Sequence, residues 1–378
     1  MFAELAVLAV VLTVAAAYTS LVVFSPLEPV TSPSESTCRT SASPKIPVPL
    51  PSLTTTRATL ELSVVVPAFN ERARLGIMLK DALGYLEELS LEQSTGEGQR
   101  RLPRGVERGS YEIIIVDDGS KDGTSEVALE LAEELAKKWT EGGRKMRGVV
   151  KVVKLERNRG KGGSVKHGIL HAAGHRILFA DADGASHFPD LGLLQAELDR
   201  LEKFQSIYQT SQKKGNDSEG IWEGYHGIVV GSRAHLVRTE AVVKRSFLRN
   251  LLMRLFHTYL FVLGIRTIRD TQCGFKLHTR PSAALIYPFL HSPAWIFDCE
   301  LLLLANLSGV PIREVGIAWK EVDGSKVDLV RDSIKMAIDL LVIRGNYLLG
   351  RWSRPNWVGE AYVREEDVRV EQIEKKEQ

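Results

Sequence analysis

The sequence predicts an α/β protein with a mostly parallel sheet, tied to a membrane by one N-terminal helix. Three observations predict it. Short, near-continuous apolar runs alternate with segments of helical periodicity between Leu60 and Val230, as expected of strands buried on both faces by crossover helices. Polar and acidic residues gather where those runs end, which is where open α/β sheets place their ligands. Leu5–Phe24, LAVLAVVLTVAAAYTSLVVF, carries no charge and matches the roughly 20 residues a bilayer-spanning helix requires.

The only charge before that run is Glu4, so the basic leader of a cleaved signal peptide is missing. Residues 1–24 therefore read as a retained anchor. No cation precedes the run, while Arg39, Lys45 and Arg57 follow it; the positive-inside rule then places the body of the protein in the cytosol. Residues 25–59 are rich in Pro, Ser and Thr and read as an extended linker.

A folded domain is expected over residues 60–350, with a charged tail at 351–378. Leu62–Val66 reads as a strand ended by Pro67. Leu75, Leu79, Leu83, Leu86 and Leu89 follow at helical spacing. Residues 90–110 read as a surface insertion and Tyr111–Val116 as a strand. Thr124 is placed to cap a helix whose face carries Val127, Leu131, Leu135 and Trp139. Val149–Leu155 is the next strand, 164–173 a helix and Ile177–Ala180 a strand. Residues 203–224 form a second polar insertion before the strand Ile228–Val230. Phe247–Leu263 and Ser333–Gly350 mix apolar residues with cations. Each suits a helix lying at a membrane surface, or an ordinary helix under the sheet.

The composition is that of a globular chain: 378 residues, 44% hydrophobic, 25% charged and a formal net charge of +2. So small a net charge gives no field to attract nucleic acid. Cys38, Cys273 and Cys299 are too scattered for a disulfide framework or a zinc cluster and read as free thiols in a reducing compartment.

The strand ends carry the chemistry. VVVPAFNE ends in Asn70 and Glu71, where Asn70 is also placed to cap the next helix. IVDDGS ends in Asp117 and Asp118, able to accept from a base or ribose, or to form an Asx-turn. NRGKGGSVKHG, Asn158–Gly168, interleaves glycine with cations, as a backbone approaching phosphate would, or as a plain Gly-rich turn. It lacks the Ser/Thr after lysine of a Walker A loop, and Val165 stands where a dinucleotide fingerprint needs its third glycine. An ordinary ATPase or NAD-dependent oxidoreductase is disfavoured. FADADG places Asp181 and Asp183 one residue apart. Carboxylates that close repel unless a cation joins them, and hard oxygen ligands favour Mg²⁺ or Mn²⁺ shared with a diphosphate.

Taken in order, VVVPAFNE, VDDGSKDGT, NRGKGGSVKHG, DADG, GSR and RDTQCGFK resemble the GT-A-fold glycosyltransferases that use polyprenyl phosphate acceptors. Within that group, DADGASHFPD, GSRAHL and IRDTQCGFKL resemble the dolichyl-phosphate β-glucosyltransferases, over roughly residues 60–350. The resemblance implies a GT-A fold in which Pro67, Asn70, Glu71 and Asp118 line the nucleoside pocket and Lys161 lies beside the nucleotide. It implies that Asp181 and Asp183 form the metal and sugar-nucleotide site, and that Arg233, Arg245 and Arg249 hold the acceptor phosphate; a solvated helix face stays open for Arg249. It further implies glucose transfer from UDP-glucose to dolichyl phosphate with inversion, at the endoplasmic reticulum membrane, for N-glycan precursor assembly.

Asp270 and Asp298 are the remaining acidic candidates for catalysis. A phosphate acceptor is already ionised near neutral pH, so Asp270 reads as positioning the acceptor or sugar, with base catalysis secondary. Asp298 accepts a sugar hydroxyl or caps the apolar helix after it; Trp295 stacks on the sugar or fills the core. The competing readings are a dolichyl-phosphate mannosyltransferase using GDP-mannose, which no residue chemistry excludes, and a membrane-tethered nucleotide-binding protein without catalysis.

Overall fold

The computed structural model describes residues 2–95, 102–144, 146–212, 225–238, 268–322 and 329–356. The chain opens with helix α1 (Phe2–Phe24) and then two short strands, β1 (Thr37–Thr40) and β2 (Ser43–Pro49). An alternating run follows: β3 (Leu60–Ala68), α2 (Leu75–Thr95), β4 (Glu107–Asp117), α3 (Thr124–Glu141), β5 (Gly148–Lys154), α4 (Gly160–Leu170), β6 (Gly174–Ala180) and α5 (Leu191–Gln212). The last part holds β7 (Ile228–Ser232), β8 (Phe275–Thr279), α6 (Arg280–Ile286), α7 (Phe297–Leu307), β9 (Ile312–Gly316) and α8 (Leu329–Leu348).

These strands form one sheet in the order β2-β1-β5-β4-β3-β6-β8-β7-β9. Its centre, β5-β4-β3-β6, is parallel, with Val64 of β3 level with Ile113 of β4 and Leu178 of β6. β8 is antiparallel to both β6 and β7, and β1 is antiparallel to both β2 and β5.

The apolar runs are continuous because both faces are covered. Along β3, Val64 and Val66 face the α2, α3 and α5 side with Leu79, Leu83, Ala132 and Leu198, whereas Val65 faces α4 and α7 with Val165, Ile169 and Leu301. Ile113 and Ile115 of β4 alternate with Ile114 and Val116 in the same way, as the two-residue repeat of a strand requires.

Several elements differ from the sequence expectation. The linker over 25–59 is not a free tether: β1 pairs with β5 and extends the sheet, and Leu53 is buried in the core. α2 runs on to Thr95 and β4 begins at Glu107, so the insertion expected at 90–110 is shorter. α5 continues through Gln212, taking up half of the insertion expected at 203–224. α4 begins at Gly160 rather than 164, inside the glycine-rich stretch. Phe247–Leu263 and most of the tail lie outside the described residues.

Glu4–Phe24 is long and apolar enough to cross a membrane, with a mean hydropathy of 2.4 and 0% of it buried. Its end meets α8. A methyl group on Gly345 would stand 2.9 Å from Leu21 Cδ1, and the Asn346 side-chain amide donates to Ser25 Oγ at 2.9 Å. α8 turns Leu340 and Ile343 inward against Ile296, Cys299 and Leu303 of the α7 region. It leaves Ile334, Ile338, Leu341 and Leu348 exposed on its outer side, so α8 is half buried and half open.

Candidate active site

The carboxyl ends of β3, β4 and β6 meet. After β3 the chain bends through Asn70 at φ 51°, a left-handed conformation that Asn adopts more readily than most residues. Asn70 Oδ1 accepts from the Lys121 amide at 3.0 Å, and the Asn70 amide donates to Ser120 Oγ at 2.8 Å. Asn70 therefore locks the β3 loop to the β4 loop, five residues before α2 begins at Leu75. The Glu71 carboxylate takes both Nε and Nη2 of Arg74, at 2.8 and 2.6 Å. Glu71 is thus engaged, and Arg74, which the sequence reading missed, enters the site. Hydrogen bonding to Glu71, with the fields of Asp183 and Asp181, holds the Arg74 pKa above its ordinary value. Pro67 sits level with Val116 across the β3–β4 pair.

Both aspartates after β4 are engaged by the protein. Asp117 accepts from the Ser120 amide at 2.8 Å and from the Ser125 hydroxyl, as an Asx-type turn does. Asp118 accepts from the amides of Arg159 at 2.7 Å and Gly160 at 2.9 Å. Its carboxylate closes the positive end of α4. Burial raises the Asp118 pKa, and these two amides oppose the rise.

The glycines of NRGKGGSVKHG serve packing. Gly160, at φ +80°, would put a Cβ 2.5 Å from the Pro293 carbonyl, and one on Gly162 would lie 2.5 Å from that of Ser292. The start of α4 is thereby pressed against the 292–294 segment, and Lys161 is aimed at β6. Lys161 Nζ lies 2.7 Å from Asp181 Oδ1, 5.3 Å from the Phe179 ring centre and 5.4 Å from that of Trp295. Burial would lower the Lys161 pKa, but the charges of Asp181, Asp298 and Asp183 outweigh it and raise it. Trp295 is 36% exposed, so it stands at the mouth of the site and not in the core.

Asp181 is set by the strand beside it. Its amide donates to the Gly274 carbonyl at 2.9 Å, and a Cβ on Gly274 would fall 1.9 Å from Asp181 Oδ2. Asp183 accepts from the Ala185 amide at 3.0 Å. Burial, and then the charge of Asp181, raise the Asp183 pKa. The charges of Arg74 and Lys161 oppose that rise without cancelling it. The donors are all oxygen, which suits Mg²⁺ or Mn²⁺. Among the described residues no three His, Cys, Asp or Glu side chains cluster to hold a metal, and Asp181 and Asp183 are the pair that could hold one.

Asp298 is placed differently from either expectation. It lies in the first turn of α7, 2% exposed, with Ile296 and not Asp298 at the N-cap position. It receives the Lys276 ammonium at 2.6 Å, and Lys276 also donates to the Cys273 carbonyl at 2.6 Å. On the far side of β8, Asp270 binds Arg233 through Nε at 2.7 Å, Nη2 at 2.8 Å and the backbone amide at 2.9 Å. Burial would raise the Asp270 pKa, but Arg233 outweighs it and lowers it, which makes Asp270 a weak base. The Arg233 guanidinium carbon lies 5.4 Å from the Trp319 ring centre. Arg245 and Arg249 lie outside the described residues.

A parallel-centred sheet with a carboxylate pair and a lysine at the carboxyl ends of its strands marks an α/β protein with its candidate site at the strand ends. The model of "Glycosyl transferase family 2" matches residues 63–256. "Dolichyl-phosphate beta-glucosyltransferase" from Saccharomyces cerevisiae is 44% identical over 289 residues, 76% of this chain and 75% of that protein. The protein of the same name from Dictyostelium discoideum is 43% identical, over 77% of this chain and 76% of its own. The one from Homo sapiens is 41% identical, over 78% of each chain. Among solved structures, glucosyl-3-phosphoglycerate synthase from Mycobacterium tuberculosis in complex with uridine-diphosphate aligns with a TM-score of 0.45 at 18% identity, over 78% of this chain and 82% of that one. The chain belongs to glycosyl transferase family 2 and, within it, to the dolichyl-phosphate β-glucosyltransferase family. It is a glycosyltransferase.

Proposed function

We propose that the enzyme transfers glucose from UDP-glucose to dolichyl phosphate with inversion, giving dolichyl β-D-glucosyl phosphate for N-glycan precursor assembly. The observation that carries this is the Lys161–Asp181 pair beside Asp183 at the end of β6, in a chain 44% identical to a dolichyl-phosphate β-glucosyltransferase. An acceptor phosphate oxygen forms a bond to the anomeric carbon as the bond from that carbon to the diphosphate oxygen breaks. The electron pair leaves with UDP, and one displacement turns an α-linked donor into a β-linked product.

Lys161 meets the donor diphosphate, and Asp181 and Asp183 would hold Mg²⁺ or Mn²⁺. When bound, the divalent ion offsets negative charge on the leaving diphosphate. Pro67, Asn70, Glu71 and Asp118 shape the nucleoside side by fixing the loops around it; Glu71 and Asp118 act through Arg74 and α4. Arg233 faces the acceptor phosphate and Asp270 holds its fork in place, with Arg245 and Arg249 assigned to the same phosphate. Asp270 remains a carboxylate at neutral pH, which suits positioning. Asp298 supports Lys276 from behind. Trp295 offers its face to the sugar beside Lys161.

The working location is the endoplasmic reticulum membrane, with α1 spanning it once and the catalytic domain in the cytosol. The exposed apolar side of α8, joined to the end of α1 at Gly345 and Asn346, supports a domain held against the bilayer. The test is incubation of membranes containing the enzyme with dolichyl phosphate and labelled UDP-glucose or GDP-mannose. A β-glucosyl lipid from UDP-glucose alone is expected; a mannosyl lipid, or no lipid product with either donor, overturns the reading.

A further inference from the structure

Glu35 belongs to a Pro/Ser/Thr-rich segment that follows the anchor, yet it is 1% exposed. A carboxylate is rarely buried that far without partners. Glu35 Oε2 accepts from the Ser32 amide at 2.8 Å, Oε1 accepts from the Glu156 amide at 3.0 Å, and Oε2 pairs with the Arg159 guanidinium. The same guanidinium donates to the Val30 carbonyl at 3.1 Å.

The contact continues down α4. His167 Nε2–H donates to the Glu35 carbonyl at 2.9 Å, and His171 Nδ1–H to the Pro51 carbonyl at 2.7 Å. The Leu53 amide donates to the Leu170 carbonyl at 2.7 Å. Burial lowers the His167 pKa to about 4, so at neutral pH the ring is uncharged and keeps one N–H for this bond. Residues 30–53 therefore form a belt along α4, from Arg159 before its first turn to Leu170 at its end.

Arg159 is held twice. Its side chain is on Glu35, and its amide is on Asp118. Two residues later Lys161 reaches Asp181. We infer that Glu35 is a positioning residue for the donor site: through Arg159 it fixes the start of α4, and so sets where Lys161 meets the diphosphate. This rests on the donor reading above. It also ties the membrane anchor, whose helix α1 ends at Phe24, eleven residues before Glu35, to the part of the site that grips the nucleotide.

The test uses the full-length protein in phospholipid–detergent micelles. UDP-glucose KM, dolichyl phosphate KM, kcat and thermal midpoint are measured for Glu35→Gln, Arg159→Met and the double variant. Glu35→Gln is expected to raise the UDP-glucose KM about tenfold, the lower end for disturbing a group that orients a direct ligand, with the dolichyl phosphate KM unmoved. Arg159→Met should do the same, and the double variant should be no worse than either single one, because the two side chains act as a unit. Glu35→Asp keeps the charge, withdraws it by one methylene and is expected to raise the donor KM by less than Glu35→Gln does; it decides the matter if Glu35→Gln does not fold. A lowered thermal midpoint with donor KM unchanged, or with both KM values moving together, overturns the inference and leaves Glu35 a structural residue. Wild-type protein that makes no product from UDP-glucose overturns the donor reading instead.

Discussion

Two lysine–aspartate pairs flank the Phe179 ring. Lys161 and Asp181 meet at 2.7 Å with side chains 16% and 28% exposed, whereas Lys276 and Asp298 meet at 2.6 Å with side chains 0% and 2% exposed. Their ammonium groups lie 5.3 and 5.8 Å from the same ring centre. The chemistry is the same, and access separates them. The outer pair can exchange its mutual contact for a ligand. The inner pair is sealed and can act only through its field, which reaches Lys161 from Asp298. A carboxylate in a suggestive motif is thus a candidate for chemistry only if something can reach it.

The sharpest way to break this comparison is at the outer site. Asp183→Asn keeps the size of the side chain and removes its charge. It is expected to lower kcat by about a hundred- to a thousandfold, the usual cost of losing a charge-stabilising group, with the urea midpoint held or raised because a buried charge is removed. Turnover at the wild-type rate, at saturating donor and metal, would sink the assignment. At the inner site the effect should move from rate to stability. Asp298→Ala leaves Lys276 buried and unpaired and should cost about 3–5 kcal/mol in denaturant unfolding. Replacing both partners, by Asp298→Leu with Lys276→Met, should recover most of that loss. A stable Asp298→Ala enzyme with no turnover would place the inner carboxylate in the chemistry after all.

The smallest effect is a pH dependence confined to the outer site, at Asp183 beside the Lys161–Asp181 pair. The Asp183 pKa is raised in the folded state by burial and by Asp181. Between the ordinary Asp value, about 3.9, and that raised value, the folded chain binds more protons than the unfolded one. Its stability therefore falls as pH rises through the window. On the proposed reading Mg²⁺ would bind Asp183 deprotonated beside Asp181, so its stabilising effect should grow over the same window. Thermal melts with and without Mg²⁺ would show both trends, and Asp183→Asn should abolish them. A Mg²⁺ effect that is flat with pH would detach the ion from this pair.

The strand ends were legible in the sequence because each signal is local. A β-branched run followed by Asn-Glu, Asp-Asp or Asp-Ala-Asp needs no knowledge of the rest of the chain, and β3, β4 and β6 fall where those runs lie. What stayed hidden depends on distant partners. Asp298 and Lys276 are 22 residues apart, and nothing in WIFDCELL announces a buried ammonium. Glu35 meets Arg159 across 124 residues. β1 and β2 were lost in a Pro/Ser/Thr composition because an edge strand buries few side chains and is held mainly by backbone hydrogen bonds. The glycines after Asn158 suggested a phosphate cradle, and their packing against Ser292 and Pro293 could not be read without the fold.

Gly274 bears on how sequence variants of this enzyme are ranked. It carries no charge, lies on no helix and would pass any screen that scores substitutions by lost polarity. Yet the smallest side chain added there would occupy the space of Asp181 Oδ2, 1.9 Å away. Gly274→Ala is, in effect, a displacement of Asp181 written at another position, and a ranking of variants should place it with substitutions of Asp181 itself and not with neutral glycine changes.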